Sequence, residues 1–348
     1  MSTTAPPLDL PKLTAWLDAR HPELGREPVV LERLSGGSSS SVFKLTRGAM
    51  PAVLRVPAWP PRADSLKAMG REARVLSALA STAVPHPRLL DYSGESDAIG
   101  VPFMLMSFVD GWLGSMQAPA PFDRPGPDRA ALAYAMIDAV AELGQVDYKA
   151  IGLEDFGKPE QFLERQVDRW LKHIDSLRIT ENHPGRDIPG LHEVAAWLRA
   201  NTPKMQRVSL IHSDVSFANV MFHHTAPARV AAIIDWEIAT LGDPLLDLGR
   251  AVFPLPGKKV GSGKSRLLDF SDLPTREDLA QHYAKRTGLD VSHLDYYVVL
   301  SMFKLGAIIE FNYARMVNGR DSSGMAAEIS EYILELFLEA KAVTESAG

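Results

Sequence analysis

Cysteine is absent from the 348 residues. That excludes disulfides, thiolate metal sites and a cysteine nucleophile, and fits a reducing compartment. No apolar run reaches the roughly 20 residues that span a bilayer. The longest, near Val298–Phe311, is broken by Lys304 and Glu310, so no membrane partner is expected. The opening stretch MSTTAPPLDLPKLTAWLDARHPEL lacks the basic start and long apolar core of a signal peptide, and a cytoplasmic location is expected. Positive charge is not in excess either. A net charge of −6 argues against nucleic acid as the main partner. What is present, 46% hydrophobic and 23% charged residues, is the composition of an ordinary globular chain of about two domains.

The first third alternates. PVVLERL (28–34), SSVFKLT (40–46) and AVLRV (52–56) read as strands, after a short amphipathic helix over 11–24 that turns Leu13, Trp16 and Leu17 to one face. Asp64 or Ser65 can cap a helix running to about Ala80, with Leu66, Met69, Ala73, Leu76 and Ala80 as its apolar stripe. Two further strands are expected around 88–92 and 102–109. Beyond Asp110-Gly111 a proline-rich connector (118–129) leads into helical patterns at about 128–144, 159–176, 190–200, 276–287, 292–318 and 324–345. Short strands interrupt them near 208–212, 220–223 and 229–235. The expected architecture is α+β: a small β-rich lobe over residues 1–108 and a larger helical lobe over 109–348.

The interruption carries the chemistry. IHSDVSFANVMF, followed by VAAIIDWE, places His212, Asp214 and Asn219 in one loop and Asp235 at the end of an apolar run. ATP-dependent phosphoryl transfer asks for those residue types in that order. One carboxylate faces the attacking hydroxyl, while a carboxamide and a second carboxylate hold magnesium on the phosphates. Asp214 is the candidate catalytic base, Asn219 and Asp235 the candidate metal ligands, and His212 a structural residue of the loop. In GDPLLDLG (242–249), Asp247 reads as a hydrogen-bonding brace for that loop. In the small lobe, Gly36, Gly37 and Ser38 could let backbone N–H groups approach phosphates. Arg55 on the third strand could hold phosphates, with Glu72 on the next helix as its partner. Met106 and Phe108 lie in the segment expected to form a nucleotide-binding hinge.

These residues resemble the aminoglycoside phosphotransferase and choline kinase branch of the protein-kinase-like fold, over nearly the whole chain from Leu31 to about Leu338. REARVLSAL, GVPFMLMSFVDG, YKAIGLEDFGKPEQFLERQVDRW and IDWEIATLGDPLLDLG are similar to the phosphotransferase domains associated with acyl-CoA dehydrogenases. The resemblance implies a bilobal fold and an ATP- and Mg²⁺-dependent kinase of a small molecule. It also implies Asp214 as base, Asn219 and Asp235 on magnesium, and an Arg55–Glu72 ion pair anchoring phosphate. Two departures stand out. Ser213 occupies the position of a family glycine, and Arg55 that of a family lysine, although arginine is usual in the acyl-CoA-associated subgroup. Asp-Trp-Glu leads almost directly to GDPLLDLG, which leaves little room for peptide docking and favours a small-molecule acceptor.

GKKVGSGKS (257–265) imitates a phosphate-binding loop, but Lys258 stands where its leading glycine should be. It reads as a solvated basic loop, with Lys258, Lys259, Lys264 and Arg266 as an alternative contact for an anionic acceptor. Trp170, Phe217, Trp236, Glu310, Tyr313 and Arg315 are candidates to line an acceptor pocket. The basic run after Asp247 favours a hydroxylated metabolite such as a hydroxyacyl-CoA over an antibiotic. An aminoglycoside- or macrolide-type kinase and a nucleotide-binding pseudokinase stand as alternatives. A metal-dependent hydrolase built on His212, Asp214, His223, His224 and Asp235 is weakened because adjacent strand histidines point to opposite faces. A monomer or homodimer is expected.

Overall fold

A computed structural model describes residues 8–34, 40–48, 50–95, 98–253, 273–319 and 326–347. The chain forms two compact units: residues 2–110 with 231–238, and residues 111–230 with 239–348.

The first unit is built on a five-stranded antiparallel sheet. Its strands are β1 (Val30–Leu34), β2 (Ser40–Thr46), β3 (Ala52–Pro57), β4 (Leu89–Ser93) and β5 (Phe103–Ser107), in the order β1-β2-β3-β5-β4. Alternation along β2, β3 and β5 sends Leu45, Ala52, Leu54, Val56, Phe103 and Leu105 into one core. Leu13 and Leu17 of α1 (Leu10–Arg20) close it. Helix α1 starts where Asp9 accepts from the Lys12 backbone N–H at 3.0 Å and Pro11 sits in the first turn. Helix α2 (Ala63–Leu79) buries Met69, Ala73, Val75, Leu76 and Leu79, with Glu72 among them. Neither Asp64 nor Ser65 caps it. The helix begins just after Pro60-Pro61, its N-cap is Arg62, and Asp64 falls in the first turn, where its charge complements the helix dipole. The register sets Arg55 on β3 opposite Val42 and Met104.

The second unit is mostly helical. It contains α3 (Pro127–Gly144), α4 (Gln166–Thr180), α5 (Leu191–Ala200), α6 (Leu245–Ala251), α7 (Arg276–Thr287), α8 (Leu294–Val317) and α9 (Ala326–Ser346). Helix α8 is its centre and packs on α4, α5, α6 and α9. The long apolar run is thus a buried helix, and it carries Lys304 and Glu310 into the interior at 7% and 2% exposure. Gly249 lets α6 approach α8 closely: a Cβ there would lie 2.6 Å from the Tyr297 carbonyl carbon. Helix α4 begins at Gln166, not near 159, because Gln161 takes a left-handed φ of 50° that breaks any earlier helix. Helix α7 carries a Thr275–Asp278 capping box and stops at Gly288, φ 73°.

Two short antiparallel pairs frame the loop of interest. Strand β6 (Trp112–Leu113) pairs with β8 (Val220–Phe222), and β7 (Ser209–Ile211) pairs with β10 (Thr240–Gly242). Strand β9 (Val230–Ile233) follows β8. Among the described residues no helix is long and apolar enough to cross a membrane.

Candidate functional site

Strand β7 is fully buried and delivers its C-terminal end directly into His212-Ser213-Asp214. The turn is tied down from several sides. Asp247, in the first turn of α6, accepts the backbone N–H groups of His212 and Ser213, each at 2.7 Å. The His212 ring is buried, and its Nδ1 accepts from the Asp214 N–H at 3.2 Å, which leaves the ring proton on Nε2. Lys304 reaches in from α8 and donates to the Ser213 carbonyl. Ser213 holds φ at 71°, the left-handed region that glycine adopts without cost. Asp247 and His212 thus both hydrogen-bond to the backbone of the loop.

The loop presents Asp214, whose side chain is 33% exposed. Its carboxylate is gripped at both oxygens: Arg250 Nε donates to Oδ1 at 2.9 Å and Asn219 Nδ2 to Oδ2 at 3.1 Å. Asn219 Nδ2 also donates to the Asp214 carbonyl at 2.9 Å. Both amide hydrogens are thereby spent on Asp214, and Asn219 Oδ1 has no partner among the described residues. Beneath the loop, burial pushes the Asp247 carboxyl up to about 6, against the pull of its two N–H donors and Lys304. Burial likewise pushes Lys304 down to about 8, opposed by Asp214 and Asp247. Sequence reasoning missed both cations as partners of the loop. Arg250 had a faint signal, three residues beyond Asp247 on the same helix. Lys304 showed only as a charge interrupting an apolar run.

In the sheet unit, Arg55 is the hub. Nη1 donates to Glu72 Oε2 at 2.5 Å, Nη2 to Glu237 Oε2 at 3.1 Å, and Nε to Ser40 Oγ at 2.9 Å. Asp235 Oδ1 stands 3.9 Å from Nη2. Burial works against the Arg55 charge, but Glu72, Asp235 and Glu237 outweigh it and hold its pKa above the ordinary value. The expected Arg55–Glu72 pair is present. Glu237, the last residue of IDWE, joins it and was not foreseen. Asp235 lies two residues beyond β9 with φ at 68°, and its side chain is 43% exposed. Trp236 anchors this turn: it is 1% exposed and its Nε1 donates to the Ile233 carbonyl at 2.8 Å.

Met106 is buried on β5, and Phe108 follows that strand with Lys44 Nζ 4.7 Å from its ring centroid. Gly36, Gly37 and Ser38, and the basic loop with Lys258, Lys259, Lys264 and Arg266, lie outside the described residues. Of the pocket candidates, Trp236 packs in the sheet unit. Glu310 is engaged by Arg186 at 2.8 Å and His183 at 3.2 Å, while the Arg186 guanidinium sits 4.1 Å from the Tyr313 ring centroid. Phe217 packs on Phe222, and Arg315 lies over Phe311. Among the described residues no three His, Asp or Glu side chains form a metal-binding cluster.

The family described as "Phosphotransferase enzyme family" (APH) matches residues 30–280. Acyl-CoA dehydrogenase family member 11 of Gallus gallus is 30% identical over 316 residues, which cover 88% of this chain but 39% of that relative. The chain thus spans about two fifths of the relative's length. A crystal structure from Ralstonia eutropha JMP134, provisionally assigned as an aminoglycoside phosphotransferase, aligns with TM-score 0.76 and 29% identity over 97% of this chain and 99% of that one. A thermostable mutant of aminoglycoside phosphotransferase APH(4)-Ia, in ternary complex with AMP-PNP and hygromycin B, aligns with TM-score 0.59 and 19% identity, covering 91% and 94%. These likenesses bear out the α+β, protein-kinase-like bilobal fold.

Proposed function

Because this chain belongs to the phosphotransferase enzyme family, we propose that it is an ATP- and Mg²⁺-dependent kinase acting on a hydroxyl group of a small molecule. The observation that carries this reading is the Asp214–Asn219 arrangement. A partly exposed carboxylate is held at both oxygens, and the carboxamide beside it keeps its own oxygen unbonded among the described residues. Asp214 orients the acceptor hydroxyl and takes its proton as the oxygen attacks the terminal phosphoryl group. Arg250 and Asn219 fix the carboxylate and free it from reorganising during the step. Transfer of this kind runs through a loose transition state, so orientation contributes more than basicity. Asn219 Oδ1 and the Asp235 carboxylate would hold magnesium, whose preference for hard oxygen ligands they suit. When bound, the metal would neutralise charge on the phosphates. Arg55, kept charged by Glu72, Glu237 and Asp235, would anchor those phosphates, with Met106 and Phe108 against the base. On this reading residues 1–108 hold the nucleotide and 109–348 the acceptor.

The AMP-PNP complex of the APH(4)-Ia relative supports an adenine nucleotide as donor. The chicken relative's name points the acceptor toward acyl-CoA chemistry, a hydroxyacyl-CoA being one such molecule. The names of the two solved relatives favour the second reading, an antibiotic kinase. A pseudokinase is disfavoured by the ordered loop around Asp214, which Ser213 enters without displacing any brace.

The test is phosphate transfer from ATP, with and without Mg²⁺, to a panel of hydroxylated acceptors. Asp214→Ala should lower turnover by about 10²- to 10⁴-fold. Asn219→Ala should raise the magnesium concentration needed for half-maximal rate. Equal residual ATP hydrolysis by wild type and Asp214→Ala, with no acceptor phosphorylated, would falsify the reading.

A further inference from the structure

Arg165, Arg169 and His173 recur every fourth residue at the start of α4 and along it, which puts them on one helix face. Arg169 and Asp214 both lie close enough to Lys304 to act on its charge. The Arg169 guanidinium lies 5.1 Å from the Trp170 ring centroid, and Lys304 Nζ lies 5.9 Å from the same ring. Lys304 in turn bonds to the Ser213 carbonyl. The His173 ring meets Trp170 edge-on at 5.8 Å and Phe311 at 6.3 Å.

Glu164 and Asp168 stand beside these arginines in the chain, and Asp168 is taken by Arg199 at 2.6 Å. Asp214 and Asp247 are already matched by Arg250 and Lys304. Among the described residues neither Arg165 nor Arg169 has a carboxylate partner; Arg165 spends a hydrogen bond on the Lys158 carbonyl. Like charges one helical turn apart repel, so the pair costs helix stability rather than adding to it. The field it creates is felt by its neighbours. Burial and Arg165 hold the Arg169 pKa below its ordinary value, and burial and Arg169 do the same for His173. Both arginines are nonetheless exposed, so an anion can reach them.

We propose that the Arg165–Arg169 stripe binds an anionic group, carboxylate or phosphate, on the acceptor whose hydroxyl faces Asp214. This rests on the reading of Asp214 as the acceptor-side base. Arginine suits the task because its planar fork meets either group with two parallel hydrogen bonds. Trp170 holds one face of the Arg169 guanidinium, which limits the entropy lost on binding. A polycationic acceptor is repelled by the same stripe, which sets this chain apart from an aminoglycoside-type specificity.

The experiment is calorimetric titration of the full chain with two matched pairs of probes. One pair is 3-hydroxybutyrate and its amide. The other is 3-hydroxybutyryl-coenzyme A and the corresponding pantetheine thioester, which lacks the nucleotide phosphates. In at least one pair the anionic member should bind wild type about tenfold more tightly or better, a difference that Arg169→Met abolishes and Arg169→Lys partly restores. The pair that discriminates tells carboxylate from phosphate. No binding of either anion, equal binding within both pairs, or a preference that survives Arg169→Met overturns the inference. Selective anion binding without transfer from ATP counts instead against the kinase reading and leaves the anion site standing.

Discussion

The brace under the Asp214 loop makes a quantitative prediction. Asp247 is 1% exposed, accepts two backbone N–H groups at 2.7 Å, and shares its surroundings with the buried ammonium of Lys304. Asp247→Asn keeps one acceptor oxygen but turns an NH₂ toward the other N–H and leaves Lys304 short of a counter-charge. Stranding one buried donor costs about 1–3 kcal/mol. Weakening the electrostatic support of Lys304 adds to this, and we expect about 3 kcal/mol in total. Lys304→Met should cost a similar amount, since the Ser213 carbonyl loses its donor and Asp247 its cation. If the two side chains act as a charge pair, the double variant removes both charges together. It should then be less damaged than the sum of the singles by about 2 kcal/mol. Urea unfolding monitored by tryptophan fluorescence measures all four proteins. Additivity within about 0.5 kcal/mol would refute the coupling and reduce Asp247 to a hydrogen-bond acceptor that ignores Lys304.

Two further perturbations follow from local geometry. Burial pushes Glu72 up to about 7 from an ordinary 4.5, with Arg55 only partly opposing it. Between those values the folded chain holds a proton that the unfolded chain has released. The group's contribution is therefore full below pH 4.5 and lost as pH rises through 7. Glu72→Gln should flatten this part of the stability–pH curve, and an unchanged slope across that window would sink the assignment. At Ser213 the φ of 71° strains any side chain, and the hydroxyl makes no bond among the described residues. Ser213→Gly should accordingly raise stability by about 1 kcal/mol, read as a shift in the urea midpoint; a loss of stability would show that the hydroxyl contributes more than the backbone strain costs.

The difference between what could be read and what could not follows from the range of the interactions. Period-two alternation in SSVFKLT and AVLRVP is a local property, so β2 and β3 lie where the pattern placed them. The same holds for the capped helix α7. The start of α4 was misjudged because the apolar pair Phe162-Leu163 extends the helical pattern backwards, while the backbone turns at Gln161 to bury those two side chains. Strands β6 and β10 are two and three residues long, too short to show any period. In the site, Asp214, Asn219 and Asp247 were legible because one loop and the helix after it supply them, and their spacing is itself a geometric statement. Arg250 and Lys304 were not. Arg250 meets Asp214 across 36 residues and Lys304 meets Ser213 across 91, and only the packing of α6 and α8 brings them there. Their chemistry nevertheless follows from the loop's needs. A turn that carries the partly exposed Asp214 and rests on the buried Asp247 of α6 gathers two carboxylates, whose charge has to be offset. Cations had to arrive from elsewhere in the fold, and a lysine interrupting the apolar run of α8 is where such a cation becomes visible in a sequence.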